Sequence, residues 1–383
     1  MPPKQQQVIT NARLILKDEI VDGSMVVEGE RIVSVDSGHT SVANADDWQG
    51  DYLLPGLVEL HTDHLEKHLE PRPDVDWPAI SALIAHDAQI STAGITTVLD
   101  AMSVGDFDEQ SVRARGLRAV SDALQHASAN NMLRAEHLLH MRCEIACDNM
   151  IEIVTPYLDD PRVRLVSVMD HTPGQRQWAN VHHFRVYNQR NQKWSDEHLD
   201  ELVAERLHMQ SRNAASNRKA LIDLCAASRL PLASHDDTSE THVCEAASAG
   251  MCISEFPTTE VAARAARRHG LAIVMGAPNM VRGASHCGNV LTRDLAAANL
   301  VDCLSSDYVP HSLLHAAFLL HDEVAWTLPR AIATATSAPA KLIGLADRGE
   351  IASGKRSDFV RVRRAEKEIP VPIATWRGGN RIA

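Results

Sequence analysis

A parallel eight-unit β/α barrel of the TIM type, regular or distorted, with a small β-sandwich built from both chain ends, is the fold class these 383 residues predict. Three observations carry the prediction. Eight short apolar runs recur through the middle of the chain, separated by amphipathic helical stretches. The two ends share a different, hairpin-like texture. Finally, a His, Asp or Glu closes most of the apolar runs, as happens where barrel strands deliver side chains to an active-site mouth.

The elements follow in order. Residues 1–53 read as short strands: "QVITNARLIL", then "GSMVVEGERIVSVD", in which Gly29 sits between two alternating segments, then a polar loop "SGHTSVANADD". Residues 346–383 repeat this texture in "DRGEIASGKRSDFVRVRR" and "VPIATWRGGNRI", so the two ends are predicted to form one small β-domain. Between them, residues 54–345 hold the strand candidates "LLPGLVELH", "GITTVLDAM", "HLLHMRCEI", "VRLVSVMDH", "LPLASHD", "MCISEF", "LAIVMGAP" and "LVDCLSSD". Helical segments such as "DEHLDELVAERLHMQ", with Ser195 as N-cap, separate them. Eight β/α units of this length favour a closed barrel over an open sheet.

Bulk composition excludes several classes. A hydrophobic fraction of 44% supplies an ordinary globular core. No apolar run approaches the roughly 18–20 residues of a membrane helix. The N-terminal stretch lacks the pattern of a secretory signal, so a cytoplasmic location is expected. Seven cysteines without a CxxC pair suit reduced thiols rather than a disulfide framework. A net charge of -12 argues against non-specific nucleic-acid binding. The 20 histidines are too many for any single one to be informative; their positions have to decide.

Position singles out six residues. The first strand ends in His61 and Asp63, two apart and so on one face. The third ends in Glu144, the fourth in His171, the fifth in His235 and the eighth in Asp307. Each alone has an ordinary reading: a polar strand end, an ion pair of Glu144 with Arg142 or Arg134, a satisfied structural histidine, a helix N-cap at Asp307. Together, three imidazoles and three carboxylates at one barrel mouth point to a site for divalent metal, a pair of ions.

The stretches "LPGLVELHTD", "EPRPDVDWPA", "STAGITTVLDA", "RAEHLLHMRCE", "SVMDHTPGQRQ", "ASHDDTSETHV", "EFPTTEVA", "MGAPNMVRGASHCGN", "LSSDYVP" and "DRGEIASGKRSDFV" together resemble the amidohydrolase superfamily over the full chain. "MDHTPGQRQ" and "GAPNMVRGASHCGN" are the more specific; they resemble the members that act in phosphonate degradation. The resemblance implies a metal-dependent hydrolase that releases pyrophosphate from a ribose 5-triphosphate bearing a phosphonate at C1. It makes His61 and Asp63 first-strand ligands, Glu144 the bridging carboxylate, His171 and His235 ligands of the second ion, and Asp307 the eighth-strand acid. Zinc is the expected metal, with manganese and iron as alternatives. The partner is a small sugar triphosphate, with neither nucleic acid nor membrane involved and self-association left open.

Such a substrate needs cationic donors besides metal. Lys67 and Arg72 after the first strand, Arg176 in "TPGQRQ" and Arg282 in "NMVRGASHCGN" are the candidates, with Ser285 and His286 as further donors. Gly283 and Gly288 would let backbone N–H groups approach phosphate oxygens. His64 and His68 share a face if their segment is helical, but the sequence offers no third ligand beside them, and phosphate contact or a polar surface is the preferred reading. A cyclic-amide hydrolase or deaminase is the alternative, since the metal ligands alone do not choose between C–N and P–O cleavage. Clustered arginines are what separate the two.

Overall fold

In the computed structural model, residues 6–73, 75–107, 112–192, 194–285 and 288–383 are described. The eight predicted barrel runs all form strands: β1 (Leu57–Thr62), β2 (Ile95–Val104), β3 (Glu136–Glu144), β4 (Val163–Met169), β5 (Leu232–His235), β6 (Ile253–Glu255), β7 (Ala272–Gly276) and β8 (Cys303–Ser305). They pair in parallel, in sequence order from β1 to β8. Helices cover the outside. The longest, Asp196–Ser228, is capped as predicted, with the Ser195 hydroxyl accepting from the His198 N–H at 3.2 Å. Among the described residues no helix is long and apolar enough to cross a membrane.

The barrel interior explains how the mouth is built. Each strand contributes an inward apolar residue: Val58 and Leu60, Leu99, Leu138, Leu165, Ala233, Ile253, Val274 and Cys303 pack together, closed at the lower end by Ala340, Ile343 and Leu345. Strand side chains alternate faces, so the residues two or four positions further on enter the same interior, nearer the mouth. From Leu138 that row runs through His140 and Arg142 to Glu144; from Ala233 to His235; from Ile253 to Glu255; from Cys303 through Ser305 to Asp307. β1 is the exception. Its pairing with β2 is irregular between Glu59 and Thr62, and that irregularity lets His61 follow Leu60 into the interior.

β1 and β8 do not form a regular ladder with each other. The chain at 334–335 closes the lower part of the seam, its carbonyls accepting from Val58 N–H (2.9 Å, to Ala335) and Leu304 N–H (3.0 Å, to Thr334). Above them the fully buried Glu59 carboxylate accepts from His61 N–H at 2.8 Å and Ser306 N–H at 2.6 Å, and lies 2.8 Å from the Ser305 hydroxyl. That hydroxyl has one proton, and the His61 carbonyl stands 2.6 Å away as a second acceptor. Burial pushes the Glu59 carboxyl above its ordinary pKa. A protonated Glu59 donating to Ser305, which in turn donates to His61, satisfies both contacts.

The β-rich part contains strands from both chain ends, as predicted. Its eight strands join in one mixed sheet, in which Tyr52–Pro55 pairs with Gln6–Ile15 on one side and Phe359–Arg363 on the other. The sandwich-like packing comes from this sheet's own two wings: Ile32 from one and Trp376 from the other share a core with Trp48 and Phe359. Trp48 and Trp376 stack at 5.5 Å, Phe359 and Trp376 at 4.8 Å. The run expected as one strand, "LLPGLVELH", is divided between the two sheets at Gly56. A Cβ there would stand 2.3 Å from the Thr96 hydroxyl, so only glycine fits.

Glu59→Ala would leave two buried N–H groups without acceptors, a loss of about 2–6 kcal/mol. Denaturant unfolding of the metal-free variant measures it; a loss below about 1 kcal/mol would mean that the 334–335 backbone alone holds the seam.

Candidate active site

The mouth opens into a cavity of about 560 Å³. Of the residues predicted from strand ends, His61, Asp63, His171, His235 and Asp307 line it. Glu144 stands behind His171, its Oε2 2.7 Å from that ring's Nδ1, and its carboxylate accepts from the His171 N–H at 3.1 and 3.2 Å. The alternative ion pairs fall elsewhere: Arg142 lies 3.6 Å from Asp63, and Arg134 3.3 Å from Asp87.

Each of the three rings is aimed by a carboxylate. The buried Glu255 reaches His61 Nδ1 with one oxygen, at 2.8 Å, and His235 Nδ1 with the other, at 2.7 Å. Its Oε2 also lies 2.9 Å from the Ser167 hydroxyl, which is 2.6 Å from His140 Nε2. Burial works against the charge on Glu255, but His61 and His140 outweigh it and hold the carboxyl well below the usual range. With Nδ1 engaged, the Nε2 atoms remain for a ligand, the arrangement in which a carboxylate fixes the tautomer of a metal-binding histidine. Sequence reasoning missed Glu255, although it ends the sixth apolar run.

It also missed Asp236, whose Oδ2 lies 3.4 Å from His235 Nε2 and 3.8 Å from His171 Nε2. Asp236, Phe256 and Asp307, each just beyond a strand end, have left-handed backbone with φ of 55°, 54° and 51°. Such strain in non-glycine residues gathers where a site over-determines the chain. The Asp307 carboxyl is pushed up to about 6 by burial and by Asp63 beside it.

This donor set fits divalent cations. One ring nitrogen each of His171 and His235 and a carboxylate oxygen of Asp236 lie within 4.8 Å of one another. Carboxylates crowd the mouth with Arg142 as a basic neighbour, and a cation would relieve the repulsion that raises Asp307.

The predicted substrate residues divide. Lys67, Arg282 and Ser285 line the cavity; Lys67 donates to the Tyr308 carbonyl at 2.9 Å and lies over its ring. Arg72 is exposed, in a turn bridged to Val75, and Arg176 is buried; neither is among the cavity-lining residues. Arg176 donates to the His235 carbonyl at 2.9 Å and to Asp237 at 2.5 Å, which places it behind the fifth strand end. His286 lies outside the described residues. Arg142, absent from the sequence candidates, lines the cavity, and its Nε and Nη1 are buried with no hydrogen-bond acceptor among the described residues. Its position two before Glu144 on one strand was the available signal.

His64 and His68 turn away from this cavity. The sequence shows no third ligand near them; the fold supplies one, His86, whose Nδ1 lies 3.0 Å from His64 Nδ1. Burial, with His86 and His68 beside it, drives His64 down to about 3, so the ring is neutral.

Similarity to known proteins agrees with this geometry. The chain is 43% identical over 377 residues to alpha-D-ribose 1-methylphosphonate 5-triphosphate diphosphatase of Escherichia coli (strain K12), covering 98% of this chain and all of that one. A sequence profile described as the amidohydrolase family matches residues 195–383. Similar solved structures include N-isopropylammelide isopropylaminohydrolase from Burkholderia multivorans (TM-score 0.66, 16% identity, 98% of each chain) and 5-methylcytosine deaminase from Klebsiella pneumoniae (TM-score 0.65, 17% identity, 98% of each chain); at these identities they establish the fold. The chain is therefore a hydrolase of the amidohydrolase family and belongs, within it, with the alpha-D-ribose 1-methylphosphonate 5-triphosphate diphosphatases.

Proposed function

We infer that this protein hydrolyses alpha-D-ribose 1-methylphosphonate 5-triphosphate to the 5-phosphate and pyrophosphate, in the degradation of phosphonates. The observation that carries the reading is one cavity lined both by imidazole and carboxylate donors and by three cations, Lys67, Arg142 and Arg282. A triphosphate needs both; a cyclic amide, sharing the same metal donors, gives the cations no work. The relative's 43% identity along the whole chain supports the same substrate.

The ions are proposed to be two, zinc by preference, held by His61, Asp63, His171, His235 and Asp307, with Asp236 as a further carboxylate and the expected bridging ligand Glu144 set behind His171 instead. When bound they would supply Lewis acidity and a lowered pKa for water. Asp307, just beyond the end of β8, accepts the proton of the attacking water. Water oxygen forms the new bond to phosphorus as a P–O bond of the α–β anhydride breaks, and pyrophosphate leaves. Arg282 and Lys67 hold the departing charge, and Arg142, which lines the same cavity beside Asp63, is placed to meet the anion. Glu255 and Glu144 keep the rings oriented throughout.

Phosphorus NMR of the metal-loaded protein with this triphosphate is expected to show pyrophosphate and 5-phosphate appearing in equal amounts. No turnover by protein that elemental analysis shows to be loaded would overturn the reading. Asp307→Asn is expected to lower kcat by about 100-fold or more while metal content stays within error; full activity would exclude Asp307 as the proton acceptor. Arg282→Ala is expected to lower kcat/KM by about 10- to 100-fold with metal retained, as for loss of a charge-assisted hydrogen bond. Unchanged kinetics would place Arg282 outside the phosphate site.

A further inference from the structure

On the far side of the β1 loop from the cavity, three imidazoles meet with no role in the reaction above. His64 follows Asp63 directly, His68 lies in the single helical turn Glu66–Leu69, and His86 lies in the helix Ala79–Thr92. One ring nitrogen of each is within 4.8 Å of the other two. Ring centroids are 5.0 Å apart for His64 and His68, 5.3 Å for His64 and His86, and 6.1 Å for His68 and His86.

Three features distinguish this cluster from histidines packed by chance. First, the tautomer of His86 is set: its Nε2 lies 2.8 Å from Asp100 Oδ1, so Nε2 carries the proton and Nδ1 presents a lone pair to the cluster. That is the carboxylate–histidine relay by which metal-binding rings are oriented. Asp100 is itself fixed, its other oxygen 2.7 Å from His137 Nδ1, while His137 Nε2 lies 3.3 Å from Asp87. Second, the Nδ1 atoms of His64 and His86 lie 3.0 Å apart, a hydrogen bond in the metal-free protein whose length is also close to the separation of about 3.3 Å between two nitrogens on one tetrahedral zinc. Third, His68 Nε2 is buried with no hydrogen-bond partner among the described residues, so it remains for a ligand. The neighbouring cation, Lys67, sends its ammonium to the Tyr308 carbonyl.

We propose that His64, His68 and His86 form a separate zinc-class site, distinct from the ions at the barrel mouth, with three imidazole ligands and a fourth position open to water. Zn²⁺, Co²⁺ and Ni²⁺ suit such nitrogen donors; hard, oxygen-seeking Mg²⁺ does not. An ion there ties the loop bearing Asp63 and Lys67 to the helix Ala79–Thr92. The site does not depend on the substrate assigned above, because none of its three ligands lines the cavity.

Crystals of the zinc-loaded full-length protein, freed of excess metal and measured across the zinc edge, test the proposal directly. An anomalous peak is expected about 2.0–2.1 Å from a nitrogen of each ring. Empty density between the three rings in crystals whose barrel mouth is filled would overturn it. In solution, His68→Ala is expected to hold one zinc equivalent fewer than the wild type after identical loading and desalting. Its unfolding temperature should also lose the part of its zinc dependence that the wild type shows beyond the barrel ions. Equal zinc content in the two proteins would count against the site. Should the variant fail to fold, the anomalous map of the wild type decides alone.

Discussion

The architecture of the mouth depends on one buried carboxylate. Glu255 ends β6 and spans the interior to His61 on β1 and His235 on β5, one oxygen for each ring. A charge this deep survives only because every oxygen is matched by a donor, and the same match makes it useful. The imidazoles cannot turn without stranding it. Ring orientation at the mouth is thus set by the requirement that an anion in the barrel interior be neutralised. The relation is reciprocal: the ligands satisfy Glu255 as much as Glu255 orders the ligands.

A second buried acid works at the seam. The barrel is stitched by parallel pairing except between β1 and β8, where Glu59 and the 334–335 backbone stand in for ladder bonds. Because Glu59 receives the His61 N–H, closure of the barrel and placement of its first ligand are one event. The irregular pairing of β1 with β2 belongs to the same compromise. A regular strand would put Leu60 and Thr62 in the interior and turn His61 outward; the break lets Leu60 keep the core while His61 reaches the mouth.

The fold was legible in the sequence because its two periodicities are clean. Apolar runs bounded by helical stretches marked all eight barrel strands, and hairpin texture marked both ends. What blurred was the joint: "LLPGLVELH" reads as one strand because a glycine that must accommodate Thr96 looks like any other loop glycine. At the site, a polar residue just past an apolar run was a sound guide, and five of six such residues line one cavity. It failed where orientation depends on neighbours from elsewhere in the chain. Asp236 and Asp237 are adjacent, yet one faces the rings while the other holds Arg176 out of the cavity. Arg142 and Glu255 lay in plain view but required counting two positions along a strand from a known interior residue. His86 stands 22 residues from His64, and only the packing of helix Ala79–Thr92 beside the first loop unites them.

The sheet shared by the two chain ends has a consequence for synthesis. Tyr52–Pro55 is synthesised early, but its partner Phe359–Arg363 is about 300 residues downstream. At roughly 5–20 residues per second, the ribosome takes on the order of 15–60 s to deliver it. Throughout that interval one edge of the N-terminal sheet is open to other chains, and Trp48 lacks the Phe359 and Trp376 rings that cover it. Every barrel unit must emerge, and the barrel must be free to form, while this edge waits. The last strands made are the ones that retire the hazard, and because Val360 and Val362 also pack into the barrel core, the same late segment finishes both parts of the molecule.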